Sequence, residues 1–295
     1  MTAPKALLLV TALGLATALG APTAGAINTY NAEPAPERTE VGALVVLWSN
    51  DDDADFERID WMCSGTMIDD DTFLTAAHCT DGWPEGTRFF VSLEEDVQTP
   101  LDEAAAGALG AAQTAQMFLA DGVVVEGTPH QHADFPGPSN DTRDIAVIDF
   151  AGRDTTPQEV WDFTPARLPG ANLLGTMGSR SLDANEWWVM GYGTEQALRG
   201  PGGHTFPGGG VRLKALVDFN SLTKSWIHES MIQPRGYGGA CYGDSGGPNF
   251  VDLDGQLILV GTTITGDSPC YATNIAYRTD TAVARAFLDD YVALP

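Results

Sequence analysis

The sequence predicts a mostly β protein closed by one C-terminal helix. Short apolar runs rich in β-branched and aromatic residues recur from Val41 to Val260 between turn residues, and helical periodicity is scarce before Thr281. The runs of strand length include Val41–Trp48, Phe89–Leu93, Ile145–Phe150, Trp187–Met190, Val211–Val217 and Leu257–Val260. From Thr281 to Val292 the apolar residues Ala284, Phe287, Leu288 and Tyr291 fall at three- and four-residue spacings, which is the period of a helix. Gly200–Gly210, rich in Gly and Pro and holding His204, reads as a surface loop. The turn-rich stretch Pro165–Asn172 is the best linker, and divides residues 27–168 from residues 169–295 as two halves of one domain. No internal repeat is present.

A chain of 295 residues, 43% hydrophobic, can bury a sizeable core. Its 40 acidic and 15 basic residues give a formal net charge of -25, which repels phosphate backbones and anionic membrane surfaces. Nucleic acid is therefore not an expected partner. Residues 1–26 have the form of an export signal: a positive start ending at Lys5, an apolar run from Ala6 to Gly20, and the small-x-small triplet Ala24-Gly25-Ala26. The apolar run is shorter than the roughly 20 residues a spanning helix needs, so a secreted protein, free of the membrane once the signal is removed, is expected. Outside the cytoplasm, four cysteines read as two disulfides, with three connectivities open.

Three segments carry the chemistry. Cys63–Cys79 ends Leu-Thr-Ala-Ala-His-Cys; Asp144–Asp149 reads Asp-Ile-Ala-Val-Ile-Asp; Cys241–Pro248 reads Cys-Tyr-Gly-Asp-Ser-Gly-Gly-Pro. In type and order these resemble the histidine, aspartate and serine motifs of the chymotrypsin/trypsin family of serine proteases. The resemblance runs from Val41 to Leu294 and includes Gly191-Tyr192-Gly193, similar to the family's Gly-Trp-Gly. It implies two six-stranded antiparallel β-barrels, a C-terminal helix, and a site at the barrel junction, with His78 and Asp144 from the first half and Ser245 from the second.

The implied reaction needs these residue types. A serine hydroxyl is a weak nucleophile at neutral pH, so an imidazole, His78, must take its proton as Ser245 attacks a carbonyl. A carboxylate on the other ring nitrogen, Asp144, fixes the tautomer and stabilises the imidazolium. The backbone N–H groups of Gly243 and Ser245 can stabilise the oxyanion that develops. Gly-Asp-Ser-Gly-Gly also satisfies the Gly-x-Ser-x-Gly elbow of α/β-hydrolases, but all five histidines precede Ser245, the reverse of that order. Asp134 and Asp141 are rival acids, though neither begins an apolar run as Asp144 does. His130 and His132 with Asp134, and the acidic runs Asp51–Asp53, Asp69–Asp71 and Glu94–Asp96, lack the ligand spacing of zinc or calcium sites. The expectation is no metal and no cofactor.

The resemblance further implies disulfides Cys63–Cys79 and Cys241–Cys270. The first closes a loop of about 15 residues and contributes on the order of 3 kcal/mol in the loop-entropy picture. It places Gly239 on the floor of the substrate pocket, Gly266 on its wall strand and Ile275 on the neighbouring strand. An uncharged floor argues against a tryptic preference, and a small-to-medium apolar side chain before the scissile bond is expected. Where the family has Ser-Trp-Gly this chain has Ile264-Thr265-Gly266, which removes a hydroxyl partner from Asp144. Cleavage after Ala26 would expose Ile27, whose amine could pair with Asp244. The expected protein is thus a monomeric secreted endopeptidase acting on protein or peptide substrates. A catalytically silent homologue that binds rather than cleaves is the alternative.

Overall fold

The structure is a computed structural model, which describes residues 31–50, 53–195 and 197–295. Among the described residues the strands are, in chain order, β1 (Ala32–Pro34), β2 (Val41–Asn50), β3 (Asp53–Met67), β4 (Thr72–Thr75), β5 (Arg88–Ser92), β6 (Val125–Gln131), β7 (Ala146–Asp149), β8 (Trp187–Gly191), β9 (Leu198–Gly200), β10 (Gly203–Thr205), β11 (Leu213–Leu222), β12 (Trp226–Ser230), β13 (Pro248–Leu253), β14 (Gln256–Gly266) and β15 (Thr273–Arg278). Strands β2-β3-β4-β7-β6-β5 close a first antiparallel barrel. A second barrel runs β8-β11-β12-β15-β14-β13 and closes through pairing of β13 with β8. This is the chymotrypsin-like double barrel that the resemblance implies. The expected signal segment and Ile27 lie outside the described residues, as do Asp51 and Asp52.

The run at the start of β2 is continuously apolar because both its faces are buried. Leu44 and Val46 point into the first barrel with Phe73, Phe89 and Ile148. Val45 and Leu47 point outward, where Leu101, Ala115 and Phe118 of two helices, Gln98–Ala106 and Ala111–Ala120, cover them. The sequence pattern does not predict those helices. In β11 the alternation is regular: Leu213, Ala215 and Val217 are buried while Lys214 and Leu216 are half-buried, the pattern of a barrel wall. The stretch expected as a loop at Gly200–Gly210 is partly paired, since β9 and β10 form a hairpin.

Several ties cross between the barrels. Strand β1, although it precedes the first barrel in sequence, pairs with β11 of the second. Buried Arg212 donates to the carbonyls of Ala35, Val41 and Leu93 at 3.0 Å each, and to the Tyr192 hydroxyl at 3.2 Å. One guanidinium therefore bridges backbone carbonyls of three separate segments. The C-terminal helix, Ala282–Leu288, begins at Thr281, whose hydroxyl accepts from the Ala284 N–H at 3.2 Å. Its Ala284 and Leu288 join a core shared by Val41 and Val147 of one barrel and Phe250 and Tyr277 of the other.

Candidate active site

Antiparallel pairing of β4 with β7 brings the expected histidine and aspartate together. Thr75 pairs with Ala146, so the chain leaving β4 faces the chain entering β7. His78 follows in a single 3-10 turn, Ala77–Cys79, pinned by the Cys63–Cys79 disulfide and by Trp83, whose indole N–H donates to the Cys79 carbonyl at 2.9 Å. Arg143, at φ 54°, turns the backbone immediately before Asp144. His78 then makes two bonds to one carboxylate: Nδ1 lies 2.8 Å from Asp144 Oδ2, and its backbone N–H donates to Oδ1 at 2.9 Å. A carboxylate can only accept, so Nδ1 carries the proton and Nε2 keeps its lone pair. The Asp144 side chain is 10% exposed and that of His78 34%, which leaves the acid shielded and the ring open to the cleft.

The expected loss of a hydroxyl partner is visible on the far side of Asp144. Among the described residues, only His78 donates to Asp144, and the position where that hydroxyl is expected holds Ile264. Neither rival acid reaches His78. Asp141 accepts from the buried Tyr277 hydroxyl at 2.8 Å, and Asp134 forms an ion pair with Arg143.

Ser245 sits in a loop held on both sides. The Gly246 N–H donates to the Thr263 carbonyl at 2.7 Å, and Ser64 of β3 donates its N–H to the Ser245 carbonyl at 2.8 Å. Gly243 and Gly246 adopt φ of 94° and 79°, where a side chain would be strained. A Cβ on Gly243 would also strike the Trp61 ring, and one on Gly246 the Thr75 hydroxyl. Carbonyl orientation decides where the N–H groups point, because C=O and N–H are antiparallel across a trans peptide. The Tyr242 carbonyl is held by the Thr194 N–H at 2.6 Å and the Asp244 carbonyl by the Gly247 N–H at 2.9 Å. The N–H groups of Gly243 and Ser245 point the opposite way, and among the described residues neither meets an acceptor.

Asp244 is turned away from the cleft. Its carboxylate accepts from the N–H groups of Gly193 and Cys241, both at 2.8 Å, and a Cβ on Gly191 or Gly193 would collide with it. Burial pushes its carboxyl up to about 7, with those two N–H groups acting in the other direction.

His78, Gly243 and Ser245 line one cleft of about 600 Å³, along with Gly266 and Asn274. The other two expected pocket residues do not line it. Gly239 lacks a side chain where the side chain of buried Met231 packs. Ile275 alternates with Asn274 along β15, so it is Asn274 that lines the cleft. Both expected disulfides are present, Cys63–Cys79 and Cys241–Cys270.

His130 and His132 pack against aromatic rings of the C-terminal segment, with centroids 5.6 Å from Tyr291 and 5.8 Å from Phe287 respectively. Asp96 accepts from the Thr99 N–H at 2.9 Å just before a helix, and Glu94 accepts from the Trp161 indole at 2.9 Å. Sequence reasoning misses Tyr277, Trp61 and Asn274. No local motif marks them, since each acts across strands distant in sequence.

Two closed barrels with an aspartate–histidine pair and a serine gathered at their junction define the chymotrypsin-like class of hydrolase fold. The Trypsin family model matches residues 51–287, and the chain belongs to that family of serine proteases. Among the described residues no helix is long and apolar enough to cross a membrane.

Proposed function

We propose that this chain is a secreted endopeptidase that cleaves peptide bonds through an acyl-enzyme on Ser245. The observation that carries the reading is the Asp144–His78 pair at 2.8 Å, opening onto the same cleft as Ser245. His78 Nε2 takes the Ser245 proton as Oγ attacks the substrate carbonyl, then delivers it to the leaving amine. Water repeats the sequence on the ester and frees Ser245. Asp144 holds the ring in the productive tautomer and stabilises the imidazolium. The unpartnered N–H groups of Gly243 and Ser245 receive the oxyanion; preorganised donors of this kind typically contribute about 3 kcal/mol each to the barrier.

The two disulfides fit export into an oxidising compartment. After removal of residues 1–26, Ile27 would supply an ammonium for the buried carboxyl of Asp244. This is supported four residues downstream, where the Asn31 side chain donates to the carbonyls of Gln233 and Tyr237 at 3.3 and 3.0 Å, on the segment leading into Cys241. The pocket is non-tryptic and small to medium in size, because the one acid lining it among the described residues, Asp267, already accepts from the N–H groups of Tyr271, Ala272 and Thr273, while Ile264 and the Cys241–Cys270 disulfide form apolar walls. Incubation with an unfolded protein should produce fragments with new amino termini, detected by mass spectrometry. Turnover confined to a small nitrophenyl ester would contradict peptidase activity and leave an esterase.

A further inference from the structure

The ring of Trp61, on β3, is wedged between two glycine turns. A Cβ on Gly243 would strike it, and so would one on Gly209 or Gly210, at the end of the glycine-rich stretch that includes β10. Three glycines from two segments thus leave room for one indole. The Gly209–Gly210 side of this slot is anchored: the Gly210 N–H donates to the Tyr192 carbonyl at 2.7 Å, and the Gly210 carbonyl accepts from the Val97 N–H at 2.8 Å. The ring is anchored as well, because its N–H donates to Gln98 Oε1 at 2.7 Å. An indole nitrogen can only donate, so the atom facing it is the amide oxygen of Gln98, and the amide nitrogen is left to donate to Asp102 Oδ1 at 2.8 Å. Both Gln98 and Asp102 belong to the helix Gln98–Ala106.

Gly243 needs such a support. Its N–H is one of the two oxyanion donors of the proposed reaction, and glycine has the widest backbone freedom of any residue. An oxyanion donor acts at full strength only when it is held within about 0.5 Å of its productive position. The Thr194 N–H orients the peptide between Tyr242 and Gly243 through its carbonyl, at 2.6 Å. The Trp61 ring abuts Gly243 and limits where its Cα can move. Trp61 itself does not line the cleft, so a change in it reaches the substrate only through this turn.

Building on the peptidase reading above, we propose that Trp61, oriented by Gln98, is a positioning residue for the Gly243 oxyanion donor. Binding of the ground state uses the pocket walls and does not depend on the ring. Binding of the tetrahedral intermediate does. The two helices inserted between β5 and β6 thereby gain a part in the reaction, since the first residue of the first helix holds the indole.

The test separates these two states. Kinetic constants on one fluorogenic peptide are measured for the parent, Trp61→Ala, Trp61→Phe, Gln98→Leu and the Trp61→Phe/Gln98→Leu double variant. Inhibition by a peptide aldehyde and by the corresponding peptide alcohol is measured alongside. Ser245 Oγ bonds to the aldehyde carbon as the carbonyl π bond opens onto oxygen and the hydroxyl proton passes to His78, so the adduct carries an oxyanion; the alcohol has no carbonyl and forms none. Trp61→Ala should lower kcat roughly 10²-fold and weaken the aldehyde by a similar factor, with KM and the alcohol changed by less than about threefold. Trp61→Phe and Gln98→Leu should each lower kcat roughly tenfold, and the double variant by no more than either alone, because both remove the same indole bond. Gln98→Leu leaves the ring in place and carries the test if Trp61→Ala does not fold. Unchanged kcat in the variants of an active parent, or equal losses for aldehyde and alcohol, overturn the positioning role and leave the peptidase reading standing. Additive losses in the double variant overturn the part assigned to Gln98. A parent that neither cleaves peptides nor takes up a fluorophosphonate overturns the peptidase reading, and the positioning role with it.

Discussion

Replacing Ser245 with alanine is expected to lower kcat for a peptide substrate by about 10⁶, with KM changed only slightly. The size follows from the chemistry. Without Oγ there is no acyl-enzyme, and the His78–Asp144 pair has no proton to collect, so the three groups fail as a unit rather than one at a time. What survives is substrate binding and the oxyanion contacts of Gly243 and Ser245, which together leave a residual acceleration over water of roughly 10³–10⁴. The backbone at residue 245 is held by its bond to the Ser64 N–H and by the turn around it, not by the hydroxyl, so the variant should fold as the parent does. Initial rates on one fluorogenic peptide, with both proteins checked for intact disulfides, measure the drop. A variant that keeps more than a tenth of parental kcat would show that Ser245 is not the nucleophile.

Asp144→Asn is expected to lower kcat by about 10⁴ with little loss of stability. The amide is nearly the same shape as the carboxylate, but its NH₂ cannot accept the proton on Nδ1. Rotating the amide so that its oxygen faces Nδ1 turns the NH₂ onto the His78 backbone N–H, a clash of donors in place of the 2.9 Å bond now present. The alternative is for the imidazole to carry its proton on Nε2, which then cannot take the Ser245 proton. Either route also removes the negative charge that stabilises the imidazolium. Asp134→Asn and Asp141→Asn, whose partners are Arg143 and Tyr277, are expected to change kcat by less than about tenfold. Parallel kcat measurements on the three variants discriminate the acids, and a larger loss at Asp134 or Asp141 than at Asp144 would reverse the assignment.

The positions of His78, Asp144 and Ser245 are legible because each lies in a short segment whose neighbours obey local rules. Alanines and a cysteine set the turn at His78, an apolar strand begins just after Asp144, and glycines of left-handed backbone flank Ser245. The barrel strands show for a similar reason, since alternation and β-branched content survive in single runs. What the sequence hides depends on partners distant along the chain. The helices Gln98–Ala106 and Ala111–Ala120 are rich in alanine and separated by Gly107 and Gly110, so they show no strong apolar stripe; what stabilises them is contact with Val45 and Leu47 of β2. Strand β1 has only three residues, too few for any period to register.

At the pocket, the expectation from sequence falls one residue away from the side chain that lines it. In the facing strand β14 a register shift sets Thr263 opposite Ala276 and Thr265 opposite Ile275, and a bulge of this kind leaves no mark in the sequence of either strand.

The activation of Ser245 by His78 and Asp144 is tested most directly by intact-mass analysis of the purified protein before and after a fluorophosphonate, with Ser245→Ala alongside. The unlabelled mass also locates the mature amino terminus, and a chain beginning at Ile27 is the expected form. A single adduct on the parent, absent from the variant, is the predicted result. A folded chain beginning at Ile27 that takes up no adduct would contradict it and leave the silent homologue as the reading.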